Sequence, residues 1–165
     1  MNRRESYRAN REWSDGILAE VQGAVGHWLG APAVVAPPML DMRENTDLVV
    51  LNSAKSTIAC RTRRHSYFAR YPYQFTIRTK CGGCKTEIHK LLDGFGDYIF
   101  YAFTDSSDKH LHSAFLGDLG AFRRWYMPHY GERHTNKDGT ALAAYDRRYI
   151  PGFVIHEYTK PGAPQ

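Results

Sequence analysis

CRTRRHSYFARYPYQFTIRTKCGGCKTEIHK, residues Cys60 to Lys90, is the stretch on which the fold and function of this chain turn. It holds eight of the 22 Lys and Arg residues and one of the 17 acids, a net charge of +7. The rest of the chain has 14 bases and 16 acids, a net of −2, so the formal +5 resides in this segment. Concentrated positive charge with aromatics between the charges suits a polyanion better than a small acid. A solvated basic face with no ligand is the plainer account of the same residues.

The segment also sets the strand pattern. A strand over residues 57–63 places Ile58, Cys60 and Thr62 on one face and Ala59, Arg61 and Arg63 on the other. A bridge of Tyr and Arg, residues 65–73, leads to a strand over 74–79, where Gln74, Thr76 and Arg78 share a face. If these two strands pair, Arg61, Arg63 and Arg78 converge on one sheet face. Upstream, Asp47-Leu-Val-Val-Leu51 is a short apolar run with Asp47 at its mouth. Downstream, Thr86 is placed to cap a helix over 86–93 that Gly94 closes. The run Tyr98 to Phe103 is apolar at both parities and reads as a central strand covered on both faces.

Working outward, residues 1–13 read as a flexible arm and Ser14 as the N-cap of a helix ending at Gly30. Residues 31–40, with three prolines, read as an extended connector. A helix is expected over 116–127, a small helix over 140–149, and a last strand, placed as an edge, over 153–158. Residues 160–165 read as a tail. The body is one domain, 14–159, of α/β or α+β class, with a mixed central sheet of about four to five strands flanked by helices.

The bulk properties bound the function. No apolar run approaches the roughly 20 residues that span a bilayer, and the basic N-terminus lacks a secretory apolar core. Three cysteines are an odd count. A reducing, cytoplasmic setting without a membrane partner is the expectation. No Walker A or GxGxxG loop is present.

Three chemistries remain. A metal-dependent phosphodiesterase needs carboxylates for Mg²⁺ and a cation beside the scissile phosphate. Asp47 and Glu87 are the candidate carboxylates, Glu20 a third, and Lys90 the cation, with Arg61, Arg63, Arg64 and Arg78 on phosphate. An ordinary surface pair at i,i+3 is the plainer account of Glu87 and Lys90. Zinc is the second chemistry: Cys81 and Cys84 form half of a tetrahedral site, with His89 five residues on. The third is a binding module without catalysis, in which Tyr67, Phe68, Tyr71 and Tyr73 stack on bases. The partner is DNA or RNA in either polyanion reading, and the aromatic content leaves room for a homodimer surface.

The order of elements resembles the PD-(D/E)XK nuclease, or restriction-endonuclease-like, fold. That resemblance implies a Glu from an early helix, an Asp at one strand and a Glu-x-Lys or Asp-x-Lys on the next. Glu20 and Asp47 match the first two roles. The third triplet reads Ala59-Cys60-Arg61 and lacks its acid, so the resemblance implies a site whose acid and lysine have moved to Glu87 and Lys90. The phrases Glu44-Asn-Thr-Asp47, Ile58-Ala-Cys-Arg61, Phe75-Thr-Ile-Arg78, Lys85-Thr-Glu87 and Gly94-x-Gly96-Asp97 also resemble a family of phage and prophage proteins. That likeness groups Asp47, Arg61, Arg63, Arg78, Glu87, Lys90 and Asp97, and suggests host or phage nucleic-acid machinery as partners.

Overall fold

The computed structural model describes residues 3–44, 46–51, 56–80, 85–126, 131–136 and 139–160. Helix α1, Arg3–Leu29, comes first, followed by β1, Ala33–Val35, and α2, Pro38–Glu44. Then come β2, Leu48–Val50; β3, Ser56–Arg63; α3, His65–Phe68; and β4, Gln74–Lys80. Helix α4, Glu87–Leu92, leads to β5, Tyr98–Thr104, and β6, Leu111–Asp118. The chain closes with α5, Leu119–Trp125; β7, Glu132–Thr135; β8, Ala141–Asp146; and β9, Val154–Thr159.

This is a mixed α/β single domain. A six-stranded sheet has the order β1-β2-β3-β5-β6-β9, and a second sheet has the order β4-β8-β7. In the large sheet only β3 and β5 run parallel; their crossover carries α3, β4 and α4. One face of the sheet is covered by α1, whose Ile17, Val21 and Val25 pack with Leu48, Val50, Ile58, Phe100 and Leu116. The other face receives the small sheet with α4 and α5, through Phe75, Ile77, Leu91, Leu119, Phe122 and Tyr145. Strand β5 divides as its sequence requires: Phe100 and Ala102 face α1, while Ile99, Tyr101 and Phe103 face the other layer. Among the described residues no helix is long and apolar enough to cross a membrane.

Several expectations are corrected. The strand over 74–79 forms, but it pairs with β8 and not with β3. Both sides of β3 are already taken, by β2 and by the doubly apolar β5. The proline-containing connector contributes β1, and Pro38 opens α2 at a position where a missing N–H costs nothing. Residues 116–118 belong to β6, and α5 begins only after Asp118, whose carboxylate caps the N–H groups of Gly120 and Ala121. Residues 141–146 are strand β8, because cross-strand pairing to β4 and β7 overrides the helical preference of alanine. A 3₁₀ turn, Arg147–Tyr149, follows. Helix α1 extends back to Arg3 through the expected arm, and Gly30 (φ 66°) ends it as anticipated. The last strand is an edge, as expected, and the large sheet has six strands where four to five were foreseen.

Candidate functional site

Asp47 ends the connector just before β2. Its backbone N–H donates to Ile58 O, and its Oδ2 accepts the Cys60 N–H at 2.5 Å. The carboxylate thus lies against the middle of β3. It lines a groove of about 850 Å³ between α1, α2 and β3, with Asp15, Asp41, Cys60, Thr62 and Arg78 also on its walls. Burial lifts the Asp47 pKa to about 6 against the Cys60 N–H bond, and the negative charges of Asp41 and Glu87 add to the rise. Burial, with Asp47 beside it, also pushes the Cys60 thiol up.

The opposite face of β3 carries the arginines. Arg61 Nη2 lies 2.6 Å from Glu87 Oε2, and the same carboxylate oxygen accepts the Arg78 N–H at 2.9 Å. Arg61 Nη1 reaches Thr76 Oγ1 at 3.3 Å. Arg63 donates to the same Thr76 hydroxyl and to Tyr101 Oη, and its guanidinium lies over the Tyr67 ring. Although burial works against its charge, Glu87 keeps Arg61 firmly protonated. Thr76 therefore joins β4 to β3 where no strand ladder does, and Glu87 ties α4 to both. Arg78 stands two residues along β4 from Thr76, on the groove side.

The other predicted residues are placed as follows. Arg64 pairs with Asp108 at 3.1 Å and stacks on Trp13. Lys90 Nζ donates to Met42 O, fastening α4 to α2 at the rim of the groove. Glu20 accepts the Leu111 N–H and lies 3.7 Å from His110, so it serves the β5–β6 connection and does not line the groove. Asp97 accepts both the N–H and the hydroxyl of Thr57. Thr86 occupies the cap position of α4, but its hydroxyl meets His89 Nδ1 and makes no bond to the helix backbone. Cys81 and Cys84 lie outside the described residues.

A Mg²⁺ ion needs oxygen ligands free to turn toward it. As arranged, Glu87 is engaged by Arg61 and Arg78, and among the described residues no group of three His, Cys, Asp or Glu is set to hold a metal. Asp47 lies on the groove side of β3 and Glu87 on the arginine side, so the two could share such an ion only if Glu87 left both Arg61 and Arg78 and turned past β3.

The sequence reading named the bridge tyrosines as a stacking surface but passed over the Arg147–Tyr149 turn that stands beside them. Tyr67, Tyr71 and Tyr73 are exposed on the bridge from β3 to β4, and Tyr149, 70% exposed, stands on the 3₁₀ turn. The backbone N–H of Arg147 donates to Tyr73 O, which joins the two segments. Arg148 lies 4.0 Å over the Tyr73 ring and 5.9 Å from that of Tyr149. The run Asp146-Arg-Arg-Tyr149 has the Tyr–Arg composition of the bridge, which was the available signal. No family model matches this chain, and no curated protein or solved structure matches it.

Proposed function

We propose that this chain binds nucleic acid through the Tyr- and Arg-bearing surface made by the 64–73 bridge and the Arg147–Tyr149 turn. The observation that carries the reading is the interleaving of exposed rings with guanidinium groups: Arg63 over Tyr67, and Arg148 over Tyr73 and Tyr149. Aromatic faces accept bases of any sequence, and the cations accept the backbone. Arg61, placed on phosphate by the sequence reading, has a different role here: with Glu87 it holds β3, β4 and α4 together. Machinery of a host or phage that handles nucleic acid belongs to the same proposal.

A second reading, a Mg²⁺-dependent phosphodiesterase, is favoured by one feature. Asp47 and Asp41 share the groove with Arg78, and Glu87 is near enough to add to the rise in the Asp47 pKa, at the strand mouth where the PD-(D/E)XK resemblance sets its acid. Mg²⁺ would supply an activated water there; this chain would supply Asp47 and Glu87 as its ligands, and Lys90 as a charge at the rim.

One experiment tests both. Fluorescent oligonucleotides, DNA and RNA, are titrated with the protein from 50 to 300 mM salt, then incubated with Mg²⁺, Mn²⁺ or EDTA. Affinity should fall steeply and log-linearly with salt. A flat response removes the binding reading. Metal-dependent cleavage lost in Asp47→Asn and Glu87→Gln, with binding retained, supports the second reading; intact substrate in every metal removes it.

A further inference from the structure

Beside Tyr73 lies a cavity of about 540 Å³, within the ordinary range for a small-ligand site. Tyr73, Arg147, Arg148, Pro151, Gly152 and Glu157 are on its wall. Arg147 is only 9% exposed. Its guanidinium sits between two rings, 4.9 Å from the Phe115 centroid and 5.6 Å from that of Tyr73. Its Nη1 donates to Glu157 Oε2 at 2.6 Å, but its Nε has no partner. A buried donor left unpaired is unfavourable, more so on a charged group, so Arg147 has donor capacity that its protein partners leave unused. Arg148, next in sequence, is fixed by a two-point contact with Asp146 and stacked on Tyr73.

Two oriented guanidinium groups and the Tyr73 ring on the cavity wall, with the exposed Tyr149 ring beside Arg148, call for a ligand with an oxyanion and a flat aromatic part. Asp146 and Glu157 already give each arginine one carboxylate, so another carboxylate offers little. A phosphate, with more acceptor oxygens and up to two charges, can be gripped by Arg147 and Arg148 together without displacing either acid.

We infer that this cavity is a nucleotide subsite: the phosphate sits at Arg147 and Arg148, and the base lies on Tyr149. The inference rests on the nucleic-acid reading and names the unit of the ligand that the surface grips. The nucleotide comes either free or as one unit of a strand, and the test separates the two.

The full chain is titrated at low salt with AMP, adenosine and a fluorescent oligonucleotide of ten thymidines, following tyrosine fluorescence for the first two. AMP should bind at least tenfold more tightly than adenosine. Arg148→Gln should weaken AMP about tenfold. Glu157→Gln, which keeps an acceptor for Arg147 but removes the competing charge, should tighten AMP several-fold. Both side chains are more than half exposed, so these variants should fold, and circular dichroism checks it. Equal affinity for AMP and adenosine, or AMP binding that neither variant changes, overturns the subsite. Oligonucleotide affinity that moves with the same two variants assigns the site to a strand; AMP binding alone assigns it to a free nucleotide. If the oligonucleotide binds and both variants leave it and AMP unmoved, the subsite falls and the broader reading stands. If the oligonucleotide fails to bind and AMP responds to both variants, the broader reading falls and the subsite stands.

Discussion

Arg61 and Glu87 meet at 2.6 Å with side chains 20% and 8% exposed, and this pair joins a strand of the large sheet to the helix that leads into β5. Removing one partner leaves a buried charge without its complement, which costs about 3–5 kcal/mol. Glu87→Ala should therefore remove a large fraction of the protein's stability, read as a lower urea midpoint. Replacing both, as Arg61→Met with Glu87→Leu, should recover much of the loss, since an apolar pair of similar size is often neutral or better. A double variant no more stable than Glu87→Ala would show that Arg61 has a role the pair does not explain.

Asp47 sets a pH dependence of unusual sign. Its pKa of about 6 in the folded chain lies above the ordinary carboxylate value of 3.8, so the folded state holds a proton that the unfolded state has released. The contribution to stability is present below about pH 4 and is lost as pH rises through 6, by about 3 kcal/mol in all. Asp47→Asn, which still offers an oxygen to the Cys60 N–H, should be more stable than the parent chain at pH 8 and should converge with it near pH 4. The same stability difference at both pH values would rule this out.

Gly117 faces the ring of Phe153, and a Cβ there would stand 2.5 Å from Phe153 Cζ. Phe153 is fully buried and stacked on Phe75, so it has little room to withdraw. Gly117→Ala should cost about 1–3 kcal/mol through overpacking. Thermal melting reads this directly, and a melting temperature equal to that of the parent chain would mean the ring cluster yields more readily than its packing implies.

Tyr71 and Tyr149 are exposed and stand on different segments of the surface proposed to bind nucleic acid. Truncating a ring that stacks on a base costs about 1–3 kcal/mol of binding, roughly five- to 150-fold. Tyr71→Ala and Tyr149→Ala should each weaken oligonucleotide binding in that range and leave the unfolding free energy within about 0.5 kcal/mol of the parent. Anisotropy titration measures the first; unchanged affinity in both would take the rings out of the interface.

Much of the fold was legible. The parity of Tyr98 to Phe103 announced a strand with two covered faces, and Gly30 announced a helix end. Asp47 was placed correctly at a strand mouth because a polar run gives way there to Leu-Val-Val. Pairing was not legible. Nothing local to Gln74–Lys80 says that it joins Ala141–Asp146 and not Ser56–Arg63; that choice depends on which strand fills the slot beside β3, and the strand that does so, β5, comes later in the chain. The candidate site was read in part for the same reason. The arginines of β3 were identified by alternation, but their commitment to Glu87 and Thr76 arises only because β4 crosses above them in a second sheet.

The bridge that carries Tyr67 and Tyr71 is fastened at both ends. Asp108, in the left-handed conformation (φ 57°), takes the Arg64 guanidinium and the His65 N–H at one end and gives its carbonyl to Trp13; at the other, Tyr73 O receives the Arg147 N–H. This segment has therefore surrendered its conformational freedom during folding. A partner that lands on it meets a finished template, so association should proceed at the pace of diffusion and charge steering, with no slow step in which the loop must first be organised.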